Sequence, residues 1–228
     1  MFPIRDNIKS TGFPFLTVLL IIANFYVFFQ QLQLSDAALN KFIHLYGLIP
    51  ADFAAHLARF PVRPDTYLPL FTNLFLHGGW MHIISNMWYV WIFADNIENR
   101  MGHFRFLVFY LLCGIAANLT HVWIDPSSTI PTIGASGAVS GILGAYLVTF
   151  PYAKILTLVP IFIFIQFIEI PALIFLGFWF ILQLQSGALS LTAAGSNVAW
   201  WAHIGGFVAG ILLVKLFDRP QKTQWQRR

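Results

Sequence analysis

Six stretches of this chain are each apolar over most of the length needed to cross a bilayer, and no other feature narrows its possible folds so far. A spanning helix takes about 20 mostly apolar residues. Such runs cover roughly 14–34, 79–97, 104–124, 136–150, 170–187 and 198–217, separated by charged or Pro- and Gly-rich stretches. Composition agrees: 58% of the 228 residues are apolar and 10% charged, against about 45–50% and about 25% in soluble domains. Too few charged side chains are present to cover the surface of a soluble globule. The expectation is an all-α, polytopic membrane protein, a bundle of six transmembrane helices. The first run is full length and lacks a small-residue cleavage site, so it reads as a retained helix rather than a signal peptide. Residues 1–13 are then a short N-terminus, 14–217 the membrane domain and 218–228 a basic tail. Residues 35–78, with Pro50, Pro61, Pro64 and Pro69, read as one long loop.

Orientation follows from the Lys/Arg bias of the flanks. With a cytoplasmic N-terminus, that side holds Arg5, Lys9, Arg100, Arg105, Lys154, Lys215, Arg219, Lys222, Arg227 and Arg228, and the opposite side only Lys41, Arg59 and Arg63. Both termini are therefore expected in the cytoplasm, in a prokaryotic cell membrane. The net charge of +4 does not point to nucleic acid, because the basic residues are scattered singly. A single cysteine, Cys113, excludes an intramolecular disulfide framework and a Cys-based metal cluster. No cofactor is expected.

Polar groups at membrane depth are costly and so are candidate functional residues. Three groups qualify: His82 with Asn86, Ser136, and His203. Each lies near the start of an inward-running helix, which puts all of them in the outer half of the bilayer. The run from Ser136 to Phe150, stopped by Pro151, is only about 22 Å long at 1.5 Å per residue, short of the roughly 30 Å core. Its start must be submerged, in a hydrated pit. A helix N-terminus there favours developing negative charge beside Ser136. The competing reading is that Gly134, Ala135, Ser136, Gly137, Ser140, Gly141 and Gly144 form a small-residue packing face. His203, with Gly206 and Gly210 at helical spacing, offers a second such face and an imidazole to take the serine proton. His82 and Asn86, four apart, present uncharged donors in one direction, as an oxyanion site requires; interhelical bonding is the plainer alternative. A zinc site from His77, His82, His103 and His121 lacks the spacing and an acidic or Cys ligand. No carboxylate is placed to complete a triad: Asp95, Glu98 and Glu169 lie toward the inner side and Asp125 in an outer loop. A Ser–His dyad is the consistent inference.

Three blocks together resemble the rhomboid intramembrane serine proteases. They are Phe75-Leu-His77-Gly-Gly-Trp-Met-His82-Ile-Ile-Ser-Asn86 with Glu98 and Gly102 following, Gly134-Ala-Ser136-Gly137, and Ala202-His203-Ile-Gly-Gly206-Phe-Val-Ala-Gly210. The match runs from about residue 66 to 217. The resemblance implies a rhomboid-like six-helix bundle with Ser136 as nucleophile, His203 as general base, and His82, Asn86 and the Ser136 N–H as oxyanion donors. It implies cleavage of a transmembrane or membrane-anchored protein substrate near the outer boundary, membrane-embedded structure within 35–78, and a gate made of helix five with the Gly187–Asn197 loop as cap. A non-proteolytic rhomboid-like binder of transmembrane segments is the alternative, though such members usually lack the Ser or His. A small transporter fits less well, because the polar groups gather at one end. Two positions depart from the family pattern. Ser140 stands where some members carry an aromatic under the histidine, and the nearest stretch to the family's aromatic-Arg pair is Arg63–Tyr67. The run Ile155–Ile168, with Pro160, reads as an interfacial or re-entrant segment on the cytoplasmic side. Oligomeric state is not encoded in any pattern found here.

Overall fold

A computed structural model describes residues 1–10, 12–161, 164–191 and 198–218. Strand β1 (Phe2–Asp6) precedes helix α1 (Phe15–Leu32); α2 (Asp36–Tyr46), α3 (Pro50–Arg59), α4 (Pro64–Tyr67) and α5 (Pro69–Thr72) follow, then a 3-10 turn (Asn73–Phe75). Helix α6 (Trp80–Met101) leads through Gly102 into α7 (His103–Ile124), and α8 (Ser136–Thr149) into the hairpin β2 (Lys154–Ile161) and β3 (Phe164–Pro171). Helices α9 (Ala172–Ser190) and α10 (Trp200–Phe217) complete the described chain. Helices α1, α7, α9 and α10 are long and apolar enough to cross a membrane. Their outward faces carry exposed apolar side chains such as Ile22, Ile174, Phe178, Ile181 and Leu212, as a multi-pass membrane protein requires where lipid replaces water.

Helix α8 is the axis of the bundle. Every residue from Gly137 to Tyr146 is buried, the condition of a helix apolar on all sides. In lipid no hydrophobic force draws helices together, so close approach relies on small residues. A Cβ on Gly206 would lie 2.0 Å from the Gly137 carbonyl oxygen, and one on Gly210 the same 2.0 Å from that of Gly141. Backbones of α8 and α10 are thus in direct contact, while Gly137 and Gly141 also receive Ala117 and Cys113 of α7.

Two parts of the sequence reading are corrected. The fold is mostly helical but not all-α: Ile155–Ile168 belongs to an antiparallel hairpin, and β1 pairs with β2 to make a three-stranded sheet in the order β1-β2-β3. Apolar residues occupy both faces of the hairpin, so the two-residue alternation that announces a half-buried strand is missing. Pro160 lies past Leu158, the last β2 residue paired with β1, where β2 is an edge and tolerates a missing donor. Residues 1–13, expected as a short N-terminus, supply β1, tied down by Trp88, whose indole N–H donates to the Pro3 carbonyl (2.7 Å). The second correction concerns 35–78. Pro50, Pro64 and Pro69, read as loop residues, each open a short helix, because proline's fixed φ and missing N–H suit a first helical position.

These short helices position the start of α8. Leu48 and Thr132 exchange backbone hydrogen bonds of 3.0 and 2.7 Å, and the Gly134 N–H donates to the Asn73 carbonyl (2.9 Å). Asn73 in turn exchanges side-chain bonds of 2.9 Å with Asn118 of α7. At the other end of the bundle, Glu98 is buried and caps α1. Its carboxylate accepts from the N–H groups of Leu16 and Thr17 (2.8 Å each) and the Thr17 hydroxyl (2.7 Å). A buried carboxylate is tolerable there because helix N-terminal donors surround it.

Candidate active site

Ser136 is the first residue of α8, whose N-terminus has no side-chain cap, so first-turn N–H groups are left without intrahelical partners. The segment before it turns through Gly134, with φ +121°, where a Cβ would meet His82 Nε2 at 2.6 Å. Only glycine fits both the left-handed backbone and the space. The glycine contact between α8 and α10 then sets His203 opposite Ser136, and the Ser136 hydroxyl donates to His203 Nε2 (2.8 Å). On the far side of the ring, His203 Nδ1–H donates to Gln183 Oε1 of α9 (2.8 Å). With its proton on Nδ1, the neutral ring presents a lone pair to the serine.

The second cluster lies on α6. Asn86 is buried and its Nδ2 has no hydrogen-bond partner among the described residues. It sits 3.6 Å from the place of a Gly134 Cβ, beside His82 Nε2. His82 Nδ1 accepts the Gly78 N–H (3.3 Å), which leaves the remaining proton on Nε2, directed at Gly134. Two uncharged donors therefore converge next to the start of α8, in a setting where an unmatched buried donor is costly. Between the clusters is a cavity of about 270 Å³ whose lining includes Asn86, Tyr89, Ser136, Ser140, Gln183 and His203. Helices α6 and α9 both pack on α8 and hardly on each other, and the cavity is lined from both.

Comparison with known proteins gives the family. A Rhomboid domain model matches residues 64–219. The chain belongs to the rhomboid family. Among relatives of this rhomboid, Rhomboid protein 1, mitochondrial, of Saccharomyces cerevisiae is 26% identical over 197 residues, covering 82% of this chain and 50% of that protein. RHOMBOID-like protein 1 of Arabidopsis thaliana is 31% identical over 160 residues, 70% of this chain and 37% of the relative. Rhomboid-like protein 11, chloroplastic, of Arabidopsis thaliana is 28% identical over 157 residues, 65% and 51% respectively. The chain spans about half or less of the length of these relatives.

In this rhomboid, the four residues singled out from sequence are brought to one end of α8: Ser136 and His203 in contact, His82 and Asn86 beside Gly134. The glycines do form a packing face between α8 and α10, and the same contact that packs the helices aligns the two side chains. Gln183 was missed. Its nearest signal was an amide in an apolar run, and the run also holds Gln185. Ser140 stacks under nothing; its hydroxyl donates to the Ser136 carbonyl (2.7 Å), and the rings near His203 are Trp179 and Trp200, at 6.4 and 5.9 Å between centroids. Arg63 pairs with Asp65 and lies 5.2 Å over Phe60, away from the cavity lining. Among the histidines of the zinc alternative, His103 instead contacts Glu98, and no metal-holding group of three is present among the described residues. Of the Gly187–Asn197 cap, residues 192–197 lie outside the described residues, as do residues 219–228 of the basic tail.

Proposed function

We propose that this rhomboid is an intramembrane serine endopeptidase that cleaves transmembrane or membrane-anchored proteins near the outer membrane boundary. The observation that carries the reading is the 2.8 Å contact between the Ser136 hydroxyl and His203 Nε2 at an uncapped helix N-terminus. In the reaction Ser136 Oγ attacks the scissile carbonyl carbon while His203 Nε2 takes its proton. Negative charge develops on the carbonyl oxygen and is met by His82 Nε2–H, Asn86 Nδ2–H and the Ser136 N–H. Collapse of the tetrahedral intermediate passes the proton from His203 to the leaving amine and leaves an acyl group on Ser136. A water, deprotonated by the same imidazole, then releases the acid and restores the serine. The cavity of about 270 Å³ has room for that water, and the open seam between α6 and α9 is where a substrate helix would reach it from the side.

Membrane placement belongs to the same reading. Helix α6, charged only in its last turns at Asp95, Glu98 and Arg100, and the 14-residue α8 complete six crossings. The Lys/Arg asymmetry sets both termini on the cytoplasmic side of a prokaryotic cell membrane. The active end of α8 then faces outward, submerged because about 21 Å of helix cannot reach both surfaces.

Full-length protein reconstituted in liposomes with a fluorogenic transmembrane reporter tests the proposal. Wild type is expected to cleave the reporter and to be labelled by a fluorophosphonate probe; Ser136→Ala and His203→Ala lose both. Retained cleavage by Ser136→Ala overturns the assignment. Reporter binding without cleavage or labelling by wild type supports the non-proteolytic alternative.

A further inference from the structure

Ser136 and His203 come from α8 and α10, yet the group that holds the other side of the imidazole comes from α9. Gln183 is only 7% exposed. Its Oε1 accepts from His203 Nδ1 at 2.8 Å, and its Nε2 donates to the Trp179 carbonyl one turn earlier on the same helix, at 3.4 Å. The second bond, though long, fits the first. With the amide nitrogen committed to a carbonyl, the amide oxygen is the end facing the ring, and an oxygen can only accept. The proton is therefore drawn to Nδ1, and Nε2 keeps the lone pair that faces Ser136. In the opposite tautomer Nε2 would carry a proton and could not act as base.

We propose that Gln183 is a positioning residue that selects the base tautomer of His203 and makes the dyad depend on where α9 stands. The second half follows from packing. Helix α9 lies along α10, touches α8 less, and hardly meets α6, while Leu173, Ile174, Phe178, Ile181 and Leu182 are exposed. A sideways displacement of α9 by about 1 Å would stretch a 2.8 Å bond beyond hydrogen-bond range. A helix inserted between α6 and α9 would thus act on the base as well as on access. The inference rests on the protease reading for its consequence, but the contact itself can be measured without it.

Two variants of the full-length protein separate the outcomes. Gln183→Leu removes the acceptor and is expected to lower kcat about tenfold or more with KM within about twofold, the pattern of a lost transition-state contribution. Gln183→Glu keeps an acceptor in the same place and is expected to stay within about threefold of wild type. Unchanged kcat in Gln183→Leu, or a Gln183→Glu variant as impaired as Gln183→Leu, overturns the proposal. Side-chain 15N–1H spectra of histidine-labelled protein, with the His203 signal assigned by its loss in His203→Ala, are expected to show the proton on Nδ1 in wild type and a tautomer mixture in Gln183→Leu. A proton on Nε2 in wild type overturns it whatever the activity. Absence of cleavage by wild type together with an Nδ1 proton removes the protease reading and leaves the contact standing.

Discussion

Gly134 shows how little room single residues have at this site. Its φ of +121° and the 2.6 Å separation between a Cβ there and His82 Nε2 mean that Gly134→Ala must shift either the backbone before Ser136 or the histidine. The expected outcome is a loss of kcat of about 10²-fold, with thermal stability in detergent changed far less; both are measured on the purified variant. Asn86→Ala deletes one proposed oxyanion donor and is expected to cost about 10²–10³ in kcat with little change in KM. These residues were legible in the sequence because a polar side chain in an apolar run stands out by its cost. Gln183 was not, although it is as buried as Asn86 at 7%. Asn86 shares a helix face with His82 four residues before it, whereas Gln183 has no such companion, and with Gln185 two positions on only the rotation of α9 about its axis decides which one meets His203.

Helices exchange information here through glycine. Gly210 is seven residues from His203, two turns away, and a Cβ on it would lie 2.0 Å from the Gly141 carbonyl oxygen. Gly210→Ala is expected to destabilise the protein by about 1–3 kcal/mol through overpacking and to lower activity without touching a reacting atom. A lowered Tm with reduced fluorophosphonate labelling would bear this out, and an unchanged Tm would count against direct backbone contact. At the end of the bundle opposite Ser136, Glu98→Ala removes the acceptor for two backbone N–H groups and a hydroxyl of α1, with an expected cost of about 2–4 kcal/mol, read by thermal unfolding in detergent. Helix boundaries were largely readable: the starts and ends expected for α1, α7, α8, α9 and α10 fall within a few residues of those observed, since lipid demands long unbroken runs. The hairpin and the proline-led helices of 35–78 were not. The first hides its period by being apolar on both faces, and the second uses proline to begin helices rather than to break them.

At the scale of the whole molecule, the N-terminal strand β1 is stitched to the bundle. Asp6 of β1 accepts from Asn96 of α6 (2.8 Å) and from the Tyr146 hydroxyl of α8. Deleting residues 1–7 is expected to raise hydrogen exchange in β2 and the last turn of α8 while leaving the first turn of α8 protected; equal loss at both ends would show that the sheet supports the entire bundle. The sequence by itself determined that this is a membrane protein, roughly where its helices run, which flanks are basic, and which few polar residues interrupt the apolar runs. It could do so because hydropathy and charge act residue by residue, and their sums survive without coordinates. What only the tertiary structure decided is relational. It decided that α8 and α10 touch backbone to backbone, that His82 and Asn86 converge on Gly134, that β1 completes a sheet with residues about 150 positions later, and that α9 supplies the partner of His203. Each of these depends on the rotation and depth of one helix against another, which packing between distant segments sets and which no local pattern records.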